Sequence, residues 1–162
     1  LCNRDGIIWK RSFEIGMARV LELFSLSDPI TPEEIKAVES YYLEALRPLL
    51  EVVRKEKPVR MIGASGSFDT FYSLIRHQKG EEEDGRHGRE ISISDYELLH
   101  RDLVRSTLEE RKSMPGMEPV RVEMIVAASI FVSFVIRLCR IRHLYHSGFA
   151  LKEGVMAELV GL

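Results

Sequence analysis

The chain has 162 residues, 45% of them hydrophobic and 30% charged, with a net charge of -2. That length suits one domain with a genuine core, and the near-balance of charge lacks the basic face that a nucleic-acid partner requires. The two cysteines, Cys2 and Cys139, form no CxxC pair, as expected of a reduced cytoplasmic protein.

The chain begins at Leu1 and opens directly in a strand-like pattern, so a piece of a longer protein is expected. Asn3-Arg4-Asp5-Gly6 is a hairpin signal. Ile7 to Ile15 then alternates as a strand, with Ile7, Trp9, Phe13 and Ile15 on one side and Arg11 breaking it. Gly16 ends it, and Met17 to Phe24 reads as a short helix. Thr31-Pro32-Glu33-Glu34 starts a helix: Thr31 caps, Pro32 suits the first turn and Glu34 completes a capping box. That helix is expected to run to about Lys55, past Pro48. Val59 to Ile62 is a short strand ending at Gly63-Ala64-Ser65-Gly66-Ser67, and a helix follows from about Asp69 to Arg76.

Residues 78–89 are glycine-rich and charged, the pattern of a mobile surface loop. Ser94-Asp95 starts a helix reaching about Val104. Leu108 to Lys112 is a further helical turn, broken by Pro115-Gly116. Arg121 to Leu138 is a long buried helix. Its apolar run from Met124 to Val135 is about half of what a membrane span needs, so no membrane partner is expected. Arg140 to Ser147 reads as a strand and Leu151 to Leu159 as a closing helix. The order is that of an α/β fold, though three good strands are few for a complete sheet.

Three segments carry candidate chemistry. In Val59 to Thr70 a strand runs through glycines and serines into a helix. Glycines let a ligand approach the backbone, and helix-start amides with the Ser65 and Ser67 hydroxyls would cradle a phosphate. The alternative is a plain strand-to-helix turn capped by Ser67. In Glu110 to Ile125, Arg121 is either a bidentate phosphate partner or a surface arginine paired to Glu123 or Glu110. In Ser147 to Glu158, Gly154 reads as a glycine allowing close helix packing. The five histidines show no zinc-ligand spacing, and the acidic run from Glu81 to Asp84 reads as solvated loop rather than a cation site.

In this order the segments resemble a known family. Ser12 to Gly16 with Ala18, Arg19 and Leu21 is similar to its Ser-x-x-x-Gly…Arg-Leu stretch. Ile62 to Ser67 resembles its Val-Gly-Thr-Gly-Gly-Thr phosphate loop. Met114 to Met117, then Arg121 to Ile125, resembles Leu-Pro-Gly-Leu followed by Arg-Ala-Asp-x-Ile. Ser147 with Ala150 to Val155 resembles Ser-x-x-x-Leu-Arg-Glu-Gly-Leu. This is the exopolyphosphatase / guanosine pentaphosphate phosphatase family of the actin-like ATPase superfamily. Ser65 and Ser67 stand where the family has Gly and Thr, and Glu123 where it has Asp.

The resemblance implies a ribonuclease-H-like lobe, incomplete at its N-terminus, in which residues 1–162 form one partial domain, the second lobe of a two-lobe phosphatase. The implied activity of the parent protein is release of terminal phosphate from polyphosphate or guanosine pentaphosphate with magnesium (Mg2+). Its metal ligands and general base are expected upstream of this chain, with no catalytic or metal-binding residue in it. Gly63, Ser65, Gly66, Ser67 and Arg121 are the implied phosphate-binding residues. A non-catalytic phosphate- or nucleotide-sensing module on the same fold is the alternative. Further expectations are a shared sheet for Ile7 to Ile15, Val59 to Ile62 and Arg140 to Ser147, an inactive isolated fragment, and self-association, as in a homodimer, through an unpaired sheet edge.

Overall fold

The structure, a computed structural model, describes residues 1–64, 66–81 and 88–161. It opens with a hairpin of β1 (Cys2–Asn3) and β2 (Gly6–Ile7), paired antiparallel with Cys2 opposite Ile7. The Asn3 side chain closes the turn by accepting from the amides of Asp5 at 2.8 Å and Gly6 at 3.1 Å. The expected long strand from Ile7 to Ile15 does not form. Ile8 and Trp9 donate their amides to Leu1, and the ladder ends there. Phe13 and Ile15 turn instead into the helical core ahead of α1 (Met17–Leu23). An extended segment needs a backbone partner to become a strand, and among the described residues Lys10 to Ile15 has none.

The capping box at Thr31 forms as expected and starts α2 (Pro32–Ala45). The single long helix to Lys55 is in fact two. Pro48 has no amide to donate, so the ladder breaks at Leu46 and restarts as α3 (Arg47–Glu56). Lys57, in the left-handed region, ends α3, and β3 (Arg60–Ala64) follows. The next helix, α4 (Ser67–Lys79), is longer at both ends than its sequence signals and stops at left-handed Gly80.

The sequence reading missed β4 (Arg89–Ile91), which lies at the end of the charged 78–89 stretch. Ile91 alone is buried there, too little apolar pattern to signal a strand. Residues 82–87 of the expected loop lie outside the described residues; Gln78 and Lys79 belong to α4. Then come α5 (Ile93–Arg105), α6 (Leu108–Lys112), a 3₁₀ turn at Pro119–Arg121 and α7 (Ile125–Cys139). β5 (His143–Ser147) and α8 (Leu151–Leu159) close the chain.

The main sheet has the order β3-β5-β4, with β3 parallel and β4 antiparallel to the central β5. The expectation that Ile7 to Ile15 shares this sheet is therefore wrong: β2 pairs only with β1. α4 packs on the sheet and against α5, while α7 is enclosed by α1, α2 and α5. Two buried tyrosines fasten α7 by donating to its carbonyls, Tyr96 to Ser129 at 2.9 Å and Tyr42 to Ala127 at 3.4 Å. Buried Arg111 pins the entry to α7, donating to the carbonyls of Val122 and Ser106 and to Asp28 at 2.8 Å. Burial pushes the Asp28 carboxyl up, but the Leu108 amide and the Arg111 guanidinium more than offset it and hold it below its ordinary value.

Candidate functional site

The site is built where β3 ends and α4 begins. Gly63 is the last buried residue of β3, and a Cβ on it would lie 2.1 Å from the Phe68 ring. This glycine is thus required for α4 to pack onto the sheet. Gly66 is the N-cap of α4, at φ 54° and ψ -112°, a conformation that a side chain resists. Among the described residues no side chain caps the helix. Ser67 is its first residue, so Ser67 is not the cap that the plain-turn alternative expected. Ser65 lies outside the described residues.

Arg121 reaches this point from the far end of the Pro115 to Arg121 segment. Its Nη2 and Cζ lie 3.1 and 3.3 Å from where a Cβ on Gly66 would stand. Neither Glu123 nor Glu110 pairs with it. Glu110 is engaged by the Thr107 amide at 2.7 Å, and the nearest acid to Arg121 is Glu118, 3.9 Å from Nε. Nε is buried without a hydrogen-bond partner among the described residues. A buried unpaired donor carries a desolvation cost, and a guanidinium beside uncapped helix-start amides is the donor set that suits a phosphate or carboxylate.

A second crossing fixes the approach of Arg121. At Gly116, φ is 91°, and a Cβ would stand 2.6 Å from His77 Nδ1 and 2.8 Å from Ser73 Oγ. The Pro115-Gly116 turn therefore lies directly on the middle of α4, while Arg121 lies on its start. Of the five expected site residues, the structure brings Gly63, Gly66, Ser67 and Arg121 to one end of α4.

The model of the Ppx/GppA phosphatase family matches residues 5–162. The chain belongs to this family. It is 24% identical over 159 residues to exopolyphosphatase 2 of Mycobacterium tuberculosis, covering 96% of this chain and 50% of that protein. Among solved structures, an exopolyphosphatase from Cytophaga hutchinsonii is 31% identical with a TM-score of 0.92, covering 99% of this chain and 52% of that one. The Ppx/GppA member of Aquifex aeolicus shares the fold at a TM-score of 0.71 and 22% identity, covering 90% of this chain and 46% of that one. The mixed α/β layer is accordingly the actin-like fold of the Ppx/GppA family. The chain spans about half the length of the curated relatives it matches.

Sequence reasoning missed one polar pair in this Ppx/GppA chain. His146 of β5, opposite Gly63 in the ladder, meets Asp69 in the first turn of α4 with Nε2 to Oδ1 at 2.7 Å. Tyr72 stacks on the imidazole at 4.8 Å between centroids. The two partners are 77 residues apart, so no local spacing could have announced them. His143 pairs with Glu90 at 3.0 Å. His100 is buried beside Ser129, and burial first, then the Arg137 charge, pushes it down to about 4. A Cβ on Gly154 would stand in open space, so the close-packing expectation there is not met.

Among the described residues no three His, Cys, Asp or Glu side chains gather as a metal-binding group. The donors at the start of α4 are amides, a hydroxyl and a guanidinium, which attract anions rather than cations. Among the described residues, no helix is long and apolar enough to cross a membrane.

Proposed function

We propose that this chain is the part of a cytoplasmic phosphoanhydride hydrolase that supplies its second phosphate-binding loop. The substrate is inorganic polyphosphate or guanosine pentaphosphate, and terminal phosphate is released. The observation that carries this reading is the Arg121 guanidinium lying over Gly66, with Nε buried and unpartnered, at the uncapped start of α4. Membership of the Ppx/GppA family and the names of its relatives support the choice of substrate class.

In this reading the chain binds and orients. The Gly66 and Ser67 amides, aligned with the positive end of the helix dipole, donate to the phosphate oxygens, and the Ser65 and Ser67 hydroxyls add donors. The Gly63 backbone sets the end of the strand below them. Arg121 neutralises charge that grows on the phosphoryl group, a preorganised electrostatic role. Magnesium, whose ligands are expected upstream of this chain, would supply charge neutralisation at the phosphate when bound.

Titrating the chain with tripolyphosphate while following the amide signals of Gly66 and Ser67 tests the loop. Saturable shifts at those amides, weakened about ten-fold or more by Arg121→Ala, are expected. Shifts confined to other lysines and arginines overturn the assignment. In the parent enzyme, Arg121→Ala is expected to cost about 2–4 kcal/mol of transition-state stabilisation; unchanged turnover refutes the role of Arg121.

A further inference from the structure

Five helices carry an acidic residue at their third position, and the structure uses it in two ways. Glu34, Glu110 and Glu153 each fold back and accept from the N-cap amide of their own helix, that of Thr31, Thr107 and Ala150, all at 2.7 Å. This is the reciprocal half of a capping box, and it consumes the donor that an anion would use. The two aspartates behave otherwise. Asp95 is held by Lys79 at 2.8 Å. Asp69, on the helix that starts at Gly66, is held by His146 at 2.7 Å.

We propose that His146 is a positioning residue of the phosphate loop, which draws the Asp69 carboxylate away from the Gly66 amide and so keeps that donor open. The inference rests on the phosphate-binding reading of the same loop. A carboxylate oxygen faces Nε2, so Nε2 carries the proton and donates. The imidazole is itself held in place. Tyr72, one turn on from Asp69, stacks on it at an interplanar angle of 14°, and the Arg76 guanidinium lies over Tyr72. His146 is 12% exposed, against 42% for Asp69. The histidine is the fixed partner and the carboxylate the one that is placed. Released, the Asp69 carboxylate would be free to turn toward the Gly66 amide, where it would compete with any bound anion for the same donors and the same dipole.

The test separates this idea from the phosphate reading by using two readouts on the full chain. The first is hydrogen exchange at the Gly66 amide, which needs no ligand. His146→Phe keeps the ring on Tyr72 and removes the donor. It is expected to slow exchange at Gly66, and His146→Phe with Asp69→Ala is expected to restore the wild-type rate. The second is tripolyphosphate affinity. His146→Phe is expected to weaken it about five-fold, the scale of one helix cap, and the double variant to recover the affinity of Asp69→Ala alone. A purely structural role for His146 leaves the double variant as weak as His146→Phe, and that result overturns the proposal. If His146→Phe does not fold, Asp69→Glu decides: the longer acid is expected to reach the Gly66 amide, slow its exchange and weaken tripolyphosphate binding. Unchanged exchange there overturns the proposal. If exchange behaves as stated but the wild type binds no tripolyphosphate at Gly66, the phosphate reading fails, and the proposal with it.

Discussion

The Arg121 guanidinium rests on Gly66, with Nη2 3.1 Å from the position that a Cβ would take. Contact and conformation make the same demand. At φ 54° and ψ -112° the backbone of residue 66 suits glycine alone, and a methyl group there would push the arginine off. Gly66→Ala is therefore expected to lower stability by about 1–3 kcal/mol, the cost of a strained backbone. It should also displace the Arg121 Nε–H signal in a nitrogen-correlated spectrum. An unshifted signal in a folded variant contradicts the contact.

Gly116 and Arg121 sit on one segment and allow stability to be separated from binding. A side chain at 116 meets His77, Ser73 Oγ and the Ser73 carbonyl, the last at 3.0 Å. The backbone cannot yield cheaply at φ 91°. Gly116→Ala is expected to cost about 1–3 kcal/mol by overpacking and to weaken anion binding by moving Arg121. Arg121→Ala should weaken binding while leaving the unfolding midpoint close to wild type, because it removes a donor without a partner. Urea unfolding and tripolyphosphate titration of the two variants check this. A Gly116→Ala chain as stable as wild type speaks against the close crossing.

Much of this was legible in the sequence, and the misses share a cause. Thr31, Pro32 and Glu34 announced α2 because a capping box is local. The apolar run of α7 was plain because a helix enclosed by α1, α2 and α5 is apolar nearly all round. The glycines around the end of β3 announced a close approach of backbone there, since such contact restricts residue type. What stayed hidden depends on distant partners. Whether Ile7 to Ile15 became a strand depended on a neighbour, and among the described residues only Cys2–Asn3 was there to pair. β4 exists because β5 offers it an edge. His146 and Asp69 acquire a role only when β5 is laid beside β3.

His100 gives the fold an acid sensitivity with a defined window. Burial holds its folded value near 4, below the ordinary 6.5. Between those values the unfolded chain binds a proton that the folded chain refuses, so stability falls as pH falls from about 6.5 towards 4. Replacing His100 with asparagine is expected to flatten that slope. Urea midpoints measured from pH 7 to pH 4.5 check this, above the range where the carboxylates Asp28 and Glu34, both lowered in the fold, take up protons. Equal slopes for the variant and wild type would mean that His100 is protonated in the fold without cost.

The last prediction concerns association. Neither edge of the main sheet is the Ile7 to Ile15 segment: the edge strands are β3 and β4, each with one strand partner among the described residues, and the exposed apolar side chain lies on β3. Ile62 stands on this strand 68% exposed. Unpaired strand donors and acceptors beside an apolar side chain form a template for pairing with another chain, and pairing two copies edge to edge satisfies both. The isolated chain is therefore expected to sediment heavier than a monomer. Ile62→Lys places a charge on that edge, a device by which natural edge strands avoid pairing, and is expected to return the chain to a monomer without loss of helix content. Sedimentation equilibrium of the two proteins, with circular dichroism as the folding control, decides the matter. A wild-type chain that stays monomeric, or an Ile62→Lys chain that associates as before, would place the contact elsewhere than β3.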